Sequence, residues 1–590
     1  RPRRATAAGG SGLDSPFAAR PNAAMRTTAE SDARQDWLAR LCTVRRPHLL
    51  IVAFCLLVFL PGFFALPPSD RDESRFAQAT KQMLETGDFV EIRFGDVARN
   101  KKPVGIHWAQ AATVSAATSL GLATRTDIWP YRIPSLLGGI LAALFTFALG
   151  RHLVGREAAL IAALMLPTSL VVVVETHIAK TDAALLAIVA AMMLLFSRAA
   201  LAPASFSAAQ AAGFWGALGL GALLKGPVAP MVAGLAALPL WWLDRRAGRP
   251  RDWLGALRAS WGLPLSVAVV APWAVLIWIA TDGAFFIEAL RGDLGGKVTG
   301  ADEAHGGPPG YHLLLVALTL FPVSLIVLRA IPATWAARTD PAVRVLLAWI
   351  VPTWLVFELL PTKLPHYVSV TFPAVALLAA RWLLDPMRRA PPRWLARLSL
   401  GLWLFAAAIV AALAIALPVA AGGGIPWGTP IAAAVVAALV WAVLRADDLR
   451  RAAVAMLLAA PLLYAALLEG VLPRVEPIWI SPRVVAAAEA HWRAAGGRPP
   501  AAERPFATAG FHEPSLVFLA GTDTRLIRDG AEAAEHLADR PRGLALVRDR
   551  YDAAFRAEAA RLGFTPRAVA TITGLNYSRG QRLTLTLYAR

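Results

Sequence analysis

The sequence predicts a polytopic α-helical membrane protein that ends in a small soluble α/β domain. Of the 590 residues, 57% are hydrophobic and only 17% are charged, whereas an average soluble protein carries about 25% charged residues. The mean hydropathy is +0.52, and apolar runs of membrane-spanning length recur between residues 49 and 472. These observations exclude a chain built only from soluble domains.

Thirteen apolar runs predict the membrane-spanning helices. The first, Leu49–Leu66, supplies about 18 residues, which is enough for one span at about 1.5 Å per residue. It lacks a small-residue cleavage site, so we interpret it as an anchor rather than a cleaved signal peptide. The remaining runs are 133–150, 157–174, 183–196, 213–224, 228–243, 261–280, 312–330, 345–360, 368–384, 398–420, 429–444 and 452–472.

Arginine-rich loops predict the orientation of the chain, because basic loops face the cytoplasm. This rule places residues 1–47, a partly disordered segment, in the cytoplasm, ahead of a transmembrane domain over 48–472. It places the loops 67–132 and 281–311, and the soluble domain 473–590, in the periplasm. The arginines that mark the cytoplasmic loops are Arg151, Arg156, Arg198, Arg245, Arg246, Arg249, Arg251, Arg338, Arg344, Arg388, Arg389, Arg393, Arg397, Arg445, Arg450 and Arg451.

The segment Val104–Ala123 is moderately apolar but carries a histidine, a glutamine and several hydroxyl side chains. If it crossed the bilayer, every later arginine-rich loop would lie outside the cytoplasm, against the positive-inside rule. We therefore predict a juxtamembrane helix here, on the periplasmic side.

From about Pro473 onward, helix-like and strand-like patterns alternate, which predicts the soluble α/β domain. The amphipathic helices are predicted at Arg483–Arg493, Asp529–Ala538 and Asp552–Leu562, and the strands at Ser515–Leu519, Leu544–Val547, Ala568–Ile572 and Arg582–Tyr588.

The basic residues divide by type between the two sides of the membrane. The chain has 59 Lys and Arg against 40 Asp and Glu, a net charge of +19. Because no basic domain stands apart from the spans, this surplus indicates orientation and anionic lipid rather than a nucleic-acid partner. All seven lysines lie on the predicted periplasmic face, where compact, strongly hydrated cations would serve a site. They are Lys81, Lys101, Lys102, Lys180, Lys225, Lys297 and Lys363.

The first periplasmic loop carries the densest group of chemically reactive side chains. Asp72 and Glu73 follow the first span closely, at the depth where lipid headgroups meet water. Carboxylates at this depth can orient or deprotonate a hydroxyl group, or bind a metal ion. The same spacing also fits helix capping in a solvated loop, and Glu73 either supports Asp72 or caps the helix that follows.

An ordered set of motifs runs from this loop toward residue 385: Asp72-Glu73, Arg75-Phe76-Ala77, Gly87-Asp88-Phe89, Lys102-Pro103, Trp108, Pro134, Gly155-Arg156, Lys180-Thr181-Asp182, Lys225-Gly226-Pro227 and Lys363-Leu364-Pro365-His366-Tyr367. This set resembles bacterial glycosyltransferases of GT-C type, the protein O-mannosyltransferases and the lipid A aminoarabinose transferases. The resemblance covers most of residues 50–385 and is weaker around Glu513–Leu516. It implies a membrane enzyme that moves a sugar from polyprenyl phosphate to lipid A, core oligosaccharide or a protein hydroxyl in the periplasm.

The resemblance also implies roles for individual residues. Asp72 matches the acidic residue beside the reacting sugar, where it would take the proton of an acceptor hydroxyl with Glu73 next to it. Lys102, Lys225 and Arg291 would bind the donor phosphate and stabilise it as it leaves. The other residues of the substrate cavity would be Lys101, Asp182, Glu288, Lys363 and Tyr367.

Two departures from the family pattern bear on cofactors and on the sugar. Lys101 stands where some aminoarabinose transferases have a glutamate, and no histidine lies near Glu288. Both departures weaken a metal site and leave the sugar open, so no cofactor is firmly predicted, although a divalent metal is compatible with the carboxylates. The two cysteines, Cys42 and Cys55, offer neither a disulfide framework nor a cysteine metal site.

The alternatives from other classes are a secondary transporter or lipid flippase, and an inactive relative that only binds prenyl lipid. Transporters typically have repeated halves and charges near the middle of the membrane. Here the ionisable residues cluster at one face and no internal repeat is present.

Some polar features carry weaker signals. Lys180 and Asp182 either pair with each other or serve the site. The scattered histidines His305, His312 and His366 are typical of capping or solvated positions. Asn576-Tyr577-Ser578 matches an N-glycosylation pattern that often occurs by chance.

Overall fold

The computed structural model describes residues 43–291 and 306–590, which are mostly helical. The helices of the membrane part are α1 (Pro47–Phe59), α2 (Asp72–Thr86), α3 (Gly105–Ser119), α4 (Trp129–Leu153), α5 (Arg156–Thr168), α6 (Leu170–Thr176), α7 (Asp182–Leu201), α8 (Ala208–Lys225), α9 (Val228–Arg246), α10 (Asp252–Ala256), α11 (Ala259–Thr281), α12 (Ala284–Glu288), α13 (Tyr311–Thr319), α14 (Ser324–Ala336), α15 (Pro341–Leu359), α16 (Phe372–Leu384, after the 3₁₀ turn Tyr367–Thr371), α17 (Arg393–Ala421), α18 (Gly428–Arg445) and α19 (Leu449–Ala465).

Eight of the described helices are long and apolar enough to cross a membrane, and the bent pair α5–α6 would make a ninth. Each predicted apolar run overlaps a helix or a helix pair, although the helix in the first run, α1, ends at Phe59. The runs outside the eight or nine fall in α1, α8, α9 and the α13–α14 pair, which are shorter or less apolar. The predicted helical membrane fold is confirmed, while the number of thirteen spans stays a prediction.

Helices α5 and α6 form a bent pair instead of one continuous helix. The two helices meet at Ser169, whose backbone is extended (φ −64°, ψ 125°), and they are bent by 64°. The break leaves the N–H of Leu170 without an intrahelical partner, and this group donates to the carbonyl of Phe321 at 3.1 Å. As a result α6 ends beside the loop that leads into α7.

The segment between α1 and α4 contains α2, a short hairpin and α3. The hairpin strands β1 (Arg93–Phe94) and β2 (Val97–Ala98) pair antiparallel. Helix α2 ends at Gly87, whose left-handed conformation (φ 76°) costs glycine nothing sterically. Helix α3 packs between α2 and α4 and is not among the described helices that could span a membrane. This arrangement agrees with the juxtamembrane helix that the sequence predicts.

The C-terminal part is a five-stranded sheet covered by helices on both faces. The elements are α20 (Ile480–Ala494), β3 (Phe506–Ala509), α21 (Pro514–Ala520), β4 (Arg525–Ile527), α22 (Gly530–Asp539), β5 (Leu544–Arg548), α23 (Asp549–Arg561), β6 (Arg567–Asn576) and β7 (Gln581–Ala589). The strand order is β4-β3-β5-β7-β6, in which β3 runs parallel to β4 and β5, while β7 runs antiparallel to β5 and β6. Alternate residues of β5 face opposite sides, Leu544 toward α20 and α21, Ala545 toward α22 and α23.

The expected α/β pattern of this part is present with one error in type. The three expected helices and the last three expected strands all form. The strand expected at Ser515–Leu519 is wrong, because this run forms α21. Pro514 occupies the first turn of α21, where its missing N–H costs nothing and its fixed φ favours a helix. The domain boundaries themselves stay predictions.

The C-terminal sheet domain lies directly against the segment between α1 and α4. Helix α21 packs on α2, and Phe518 is buried in a cluster with Ala77 and Tyr131. This contact places the domain next to the predicted catalytic loop.

Candidate active site

The two neighbouring carboxylates of the first loop lie in opposite environments. Asp72 begins α2 and is exposed, whereas the Glu73 side chain is only 1% exposed. Arg132 of α4 pairs with Glu73 through two hydrogen bonds, from Nε to Oε1 at 2.7 Å and from Nη2 to Oε2 at 3.0 Å. Glu73 therefore faces the protein interior, and only Asp72 is open to a substrate.

The Glu73–Arg132 pair ties three segments together. The N–H of Ser69 donates to Glu73 Oε2 at 2.8 Å, and the N–H of Ala179 donates to Oε1 at 3.0 Å. Burial raises the pKa of Glu73, but the ion pair and these hydrogen bonds outweigh it and hold the pKa below its ordinary value. Glu73 thus remains ionised and fixes the start of α2 against α4 and the loop before α7.

A group of buried charges, called here the charge cluster, consists of Glu175, Lys180, Asp182, Lys225 and His366. Lys180 Nζ lies 3.0 Å from Glu175 and 3.6 Å from Asp182. Lys225 at the end of α8 donates to Asp182. The His366 ring lies 3.4 Å from Glu175 and 3.5 Å from Asp182. Two carboxylates, two ammonium groups and one imidazole therefore share one site at the ends of α6, α7 and α8.

Asp72 is close to this cluster. Burial lowers the pKa of Lys180, but Glu175, Asp182 and Asp72 outweigh it, so the pKa of Lys180 is raised. Burial also lowers the pKa of His366 to about 3, against the pull of Asp182. At neutral pH Lys180 is therefore charged and His366 is neutral, with the exposed carboxylate of Asp72 beside them.

Tyr367 completes one wall of the cluster. Its ring centroid lies 5.8 Å from Lys225 Nζ, a distance that suits a cation–π contact. The structure therefore brings the predicted residues Asp182, Lys225 and Tyr367 together.

The predicted phosphate-binding segment contacts Glu288, in the loop predicted at 281–311. Asn100 Nδ2 donates to Glu288 Oε2 at 2.9 Å. In the same stretch Lys101 is exposed and Lys102 is half-buried, and Arg291 is exposed after α12. The predicted residues Lys297 and His305 lie outside the described part of the chain.

Lys363 lies outside the charge cluster and contacts the backbone of the second loop. Its Nζ donates to the carbonyl of Gly307 at 2.9 Å, next to an antiparallel bridge between Gly306 and Thr362. This contact holds the end of the second loop against the segment that carries His366. Lys363 thus supports the cavity wall.

An apolar groove of about 650 Å³ lies between α8, α9 and α11. It reaches Phe286, two residues before Glu288, and its lining is apolar except for Ser266. Two of these, Val267 and Trp278, are 57% and 58% exposed, so the groove opens on the outside of the helix bundle. An apolar chain can lie there with its head near the Asn100–Glu288 contact.

Sequence reasoning missed Glu175 and Arg132 and undervalued His366. The signal for Glu175 is an acidic residue near the end of an apolar run, since ionisable groups in such runs are costly and usually functional. Nothing local marks Arg132, because its partner Glu73 lies 59 positions away in the chain.

Among residues 43–291 and 306–590, no group of three or more His, Cys, Asp or Glu side chains is arranged to hold a metal ion. The chemistry that this part of the chain offers is that of one open carboxylate beside paired ammonium groups. Such an arrangement suits proton transfer next to a bound anion.

The helical membrane part, the α2–α3 segment and the C-terminal sheet define a polytopic membrane protein with a GT-C type fold. The same fold occurs in the crystal structure of ArnT from Cupriavidus metallidurans bound to undecaprenyl phosphate. The TM-score is 0.67 and the identity 19%, over 91% of this chain and 97% of that chain. The apo structure of that ArnT also matches, with a TM-score of 0.67 over 92% of this chain.

Sequence comparisons lead to similar proteins. The profile described as "Dolichyl-phosphate-mannose-protein mannosyltransferase" matches residues 101–278. An undecaprenyl phosphate-alpha-4-amino-4-deoxy-L-arabinose arabinosyl transferase of Pectobacterium carotovorum is 29% identical over 350 residues, 57% of this chain and 58% of the relative. A transferase of the same name from Pseudomonas paraeruginosa is 29% identical over 385 residues, 62% of this chain and 65% of the relative. The match thus spans less than two thirds of these relatives, and it confirms the resemblance to transferases that use polyprenyl-phosphate-linked sugars.

Proposed function

We propose that this chain is a glycosyltransferase that moves a sugar from a polyprenyl-phosphate donor to an acceptor in the periplasm. The observation that carries the proposal is the exposed carboxylate of Asp72 beside the charge cluster. A polyprenyl phosphate leaves with negative charge, so the reaction needs fixed cations more than an acid. The cluster supplies such cations, and Asp72 supplies a base on the open side.

In the proposed reaction, Asp72 takes the proton of an acceptor hydroxyl. The acceptor oxygen then forms a bond to the anomeric carbon, and the bond from that carbon to the phosphate oxygen breaks. The phosphate keeps the bonding electrons, and Lys102, Lys225 and Arg291 stabilise its charge. If the acceptor is a phosphate, as on lipid A, it is already ionised and Asp72 only orients it.

Lys225 is the cation best placed to change partners. In the structure it pairs with Asp182 and lies over Tyr367. A donor phosphate would share Lys225 with Asp182, while Lys180 continues to neutralise the carboxylates. Lysine suits this exchange because its ammonium group is a compact charge with three rotatable donors.

The prenyl tail of the donor would bind in the apolar groove between α8, α9 and α11. The inner end of this groove lies near Phe286 and so near Glu288, which the Asn100 contact joins to the Lys101–Pro103 segment. A lipid with its tail between α8, α9 and α11 would therefore present its phosphate to Lys102.

We further propose a pentosyl group as the transferred sugar and lipid A as the first acceptor to test. The arabinosyl transferases named above support this choice. Lys101 stands where some relatives have a glutamate, and this difference leaves the sugar open. The assay should therefore also test hexosyl donors, and core oligosaccharide or protein hydroxyl acceptors.

The decisive experiment is transfer by the purified protein from radiolabelled sugar on undecaprenyl phosphate. With a hydroxyl acceptor, we expect Asp72→Asn to lower the transfer rate by about 10²-fold or more, the usual contribution of a general base. Asp127→Asn, at another exposed acid of the same loop, is the matched control and should transfer like the wild type. Equal transfer to a hydroxyl acceptor in the Asp72 variant would exclude Asp72 as the base.

The same preparation separates the alternative functions. Donor binding without transfer to any acceptor would indicate an inactive relative, and movement of the lipid across vesicles without transfer would indicate a flippase. Either result would overturn the proposed glycosyltransferase.

We propose the bacterial inner membrane as the location, with the site facing the periplasm. The arginine-rich loops support this orientation. A cysteine at position 387, where Met387 is 86% exposed, should react with an impermeant reagent only from the cytoplasm. A cysteine in place of Arg528, in the C-terminal domain, should react only from the periplasm, and the reverse pattern would invert the topology.

A further inference from the structure

The backbone immediately before Asp72 is held in an unfavourable conformation. Arg71 has φ 64° and ψ −111°, a region that residues with a Cβ atom rarely adopt. Such a conformation persists only where the surroundings enforce it, and it is most common at functional sites. The direction in which the Asp72 carboxylate points depends on this residue.

The groups that enforce it come from the C-terminal domain, some 500 residues away. Arg71 Nη2 donates to the carbonyl of Ser578 at 2.6 Å, and the N–H of Asp70 donates to Tyr577 Oη at 2.6 Å. Ser515 Oγ donates to the Asp70 carboxylate. The turn between β6 and β7 thus accepts hydrogen bonds from both residues that precede Asp72.

This β6–β7 turn is itself organised by a buried carboxylate. Asn576 Nδ2 donates to Glu513 Oε1 at 2.8 Å, and Ser578 Oγ donates to the same oxygen at 2.9 Å. Asn576 is only 4% exposed, so its amide is unavailable for glycosylation. The Asn576-Tyr577-Ser578 motif therefore builds the turn instead of marking a modification site.

Other contacts join the same two parts of the protein without this turn. Lys81 Nζ donates to the carbonyl of Phe518 at 2.7 Å, and Gln78 Nε2 donates to Thr522 Oγ1 at 2.7 Å. Because these contacts already attach α2 to the C-terminal domain, the hydrogen bonds from the β6–β7 turn to Asp70 and Arg71 are not needed to hold the two parts together.

We propose that the β6–β7 turn is a positioning element that holds Arg71, and through it aims the carboxylate of Asp72 at the charge cluster. Arg71 and Tyr577 are then positioning residues, and the C-terminal domain takes part in catalysis without touching the substrate. The activity readout of this inference rests on the proposed transfer function, whereas its structural readout does not.

The structural test is amide hydrogen exchange in the peptide that contains residue 70. Tyr577→Phe removes only the oxygen that accepts the Asp70 N–H and keeps the ring, which packs 6.2 Å from Trp479. We expect exchange at this peptide to become at least about tenfold faster, with an unchanged Tm of the detergent-solubilised protein. Unchanged exchange would overturn the proposed grip, whether or not the protein transfers sugar.

The kinetic test compares three substitutions of Arg71. Arg71→Ala should lower kcat by about tenfold or more with little change in the donor KM, because small misplacements of a catalytic group are costly. Arg71→Gly, which adopts positive φ freely, and Arg71→Lys, which can still reach Ser578, should each recover part of kcat. Arg528→Ala, at a side chain 94% exposed on the same domain, is the control.

The outcomes distinguish the two proposals. A wild-type protein without transfer would overturn the proposed function, and the exchange experiment would still decide the positioning role. A wild-type protein that transfers, with kcat unchanged in Arg71→Ala and Tyr577→Phe, would overturn the positioning role alone.

Discussion

Two groups of buried charges lie side by side at the ends of the spans, and they are bonded in different ways. Arg132 makes five hydrogen bonds, two to Glu73 and three to the carbonyls of Phe63, Leu66 and Pro67. Both Glu73 oxygens also accept a backbone N–H. In the charge cluster the contacts of Lys180 and His366 range from 3.0 to 3.6 Å and are shared among two carboxylates.

The difference indicates which group can take part in chemistry. A guanidinium with every donor engaged holds one geometry, and losing it would leave a buried carboxylate unpaired. Lysines in a shared cluster can redistribute their hydrogen bonds when an anion enters. The Glu73–Arg132 pair is therefore scaffold, and the charge cluster is the part that can respond to a ligand.

The largest expected effect comes from breaking the scaffold. Arg132→Met should cost about 3–5 kcal/mol of folding free energy, because Glu73 would remain buried without its partner. Thermal unfolding in detergent measures this loss. The double variant Glu73→Gln with Arg132→Met should recover part of it, and a single variant with the Tm of the wild type would contradict the scaffold role.

Removing a cation from the charge cluster should affect ligand binding more than folding. Lys225→Met should raise the donor KM by about 10- to 100-fold, as expected for one lost hydrogen bond to a charged phosphate. The Tm should fall less than in Arg132→Met, because Lys180 and His366 still face Asp182. Lys225→Arg keeps the charge, so its donor KM should lie between those of the wild type and Lys225→Met. An unchanged donor KM in Lys225→Met would show that Lys225 does not bind the phosphate.

A smaller, pH-dependent effect is expected at Asp70, which belongs to neither group. Burial raises the pKa of Asp70 to about 7; Ser515 and Arg71 oppose this rise and Glu513 adds to it. A carboxyl with a raised folded-state pKa stabilises the fold at low pH, and this contribution is lost as the pH rises from about 4 to about 7. Asp70→Asn should therefore raise the Tm at pH 8 by about 1–3 °C.

The gain from Asp70→Asn should shrink toward pH 4, where the wild-type carboxyl is protonated in the folded protein. Scanning fluorimetry from pH 4 to pH 8, with Asp127→Asn as the control, measures the difference. An equal gain at every pH would show that the charge of Asp70 is not its cause.

The smallest effect is expected where charges pair in water. Asp96 and Arg504 lie 3.4 Å apart, but their side chains are 82% and 50% exposed. Asp96→Asn should change the folding free energy by less than about 1 kcal/mol, and by less still at high salt. A larger loss, measured in the same unfolding assay, would mean that burial is not what separates the strong pairs from the weak ones.

The sequence is informative about features that depend on local pattern. Apolar runs predict helices such as α4, α7 and α17, since a membrane-spanning helix needs only enough consecutive apolar side chains. The arginine-rich loops predict the face on which Lys180 and Lys225 lie, and this orientation stays a prediction. Local pattern failed at Ser515–Leu519, where an apolar run of strand composition follows a proline that starts a helix.

The partners within the site depend on packing and could not be read from the chain. Lys225 meets Asp182 across 43 positions, and Asp70 meets Tyr577 across 507. Glu73 illustrates the limit most clearly, because the sequence leaves it as a helper of Asp72 or a helix cap. Only the packing of α4 places Arg132 against it.

The groove between α8, α9 and α11 has a consequence for how a lipid would reach the site. Because it opens sideways from the helix bundle, a lipid would arrive by diffusing within the plane of the bilayer rather than from water. Its effective concentration is then a mole fraction among the surrounding lipids. Occupancy should follow the composition of the bilayer and stay constant when the vesicles are diluted in buffer.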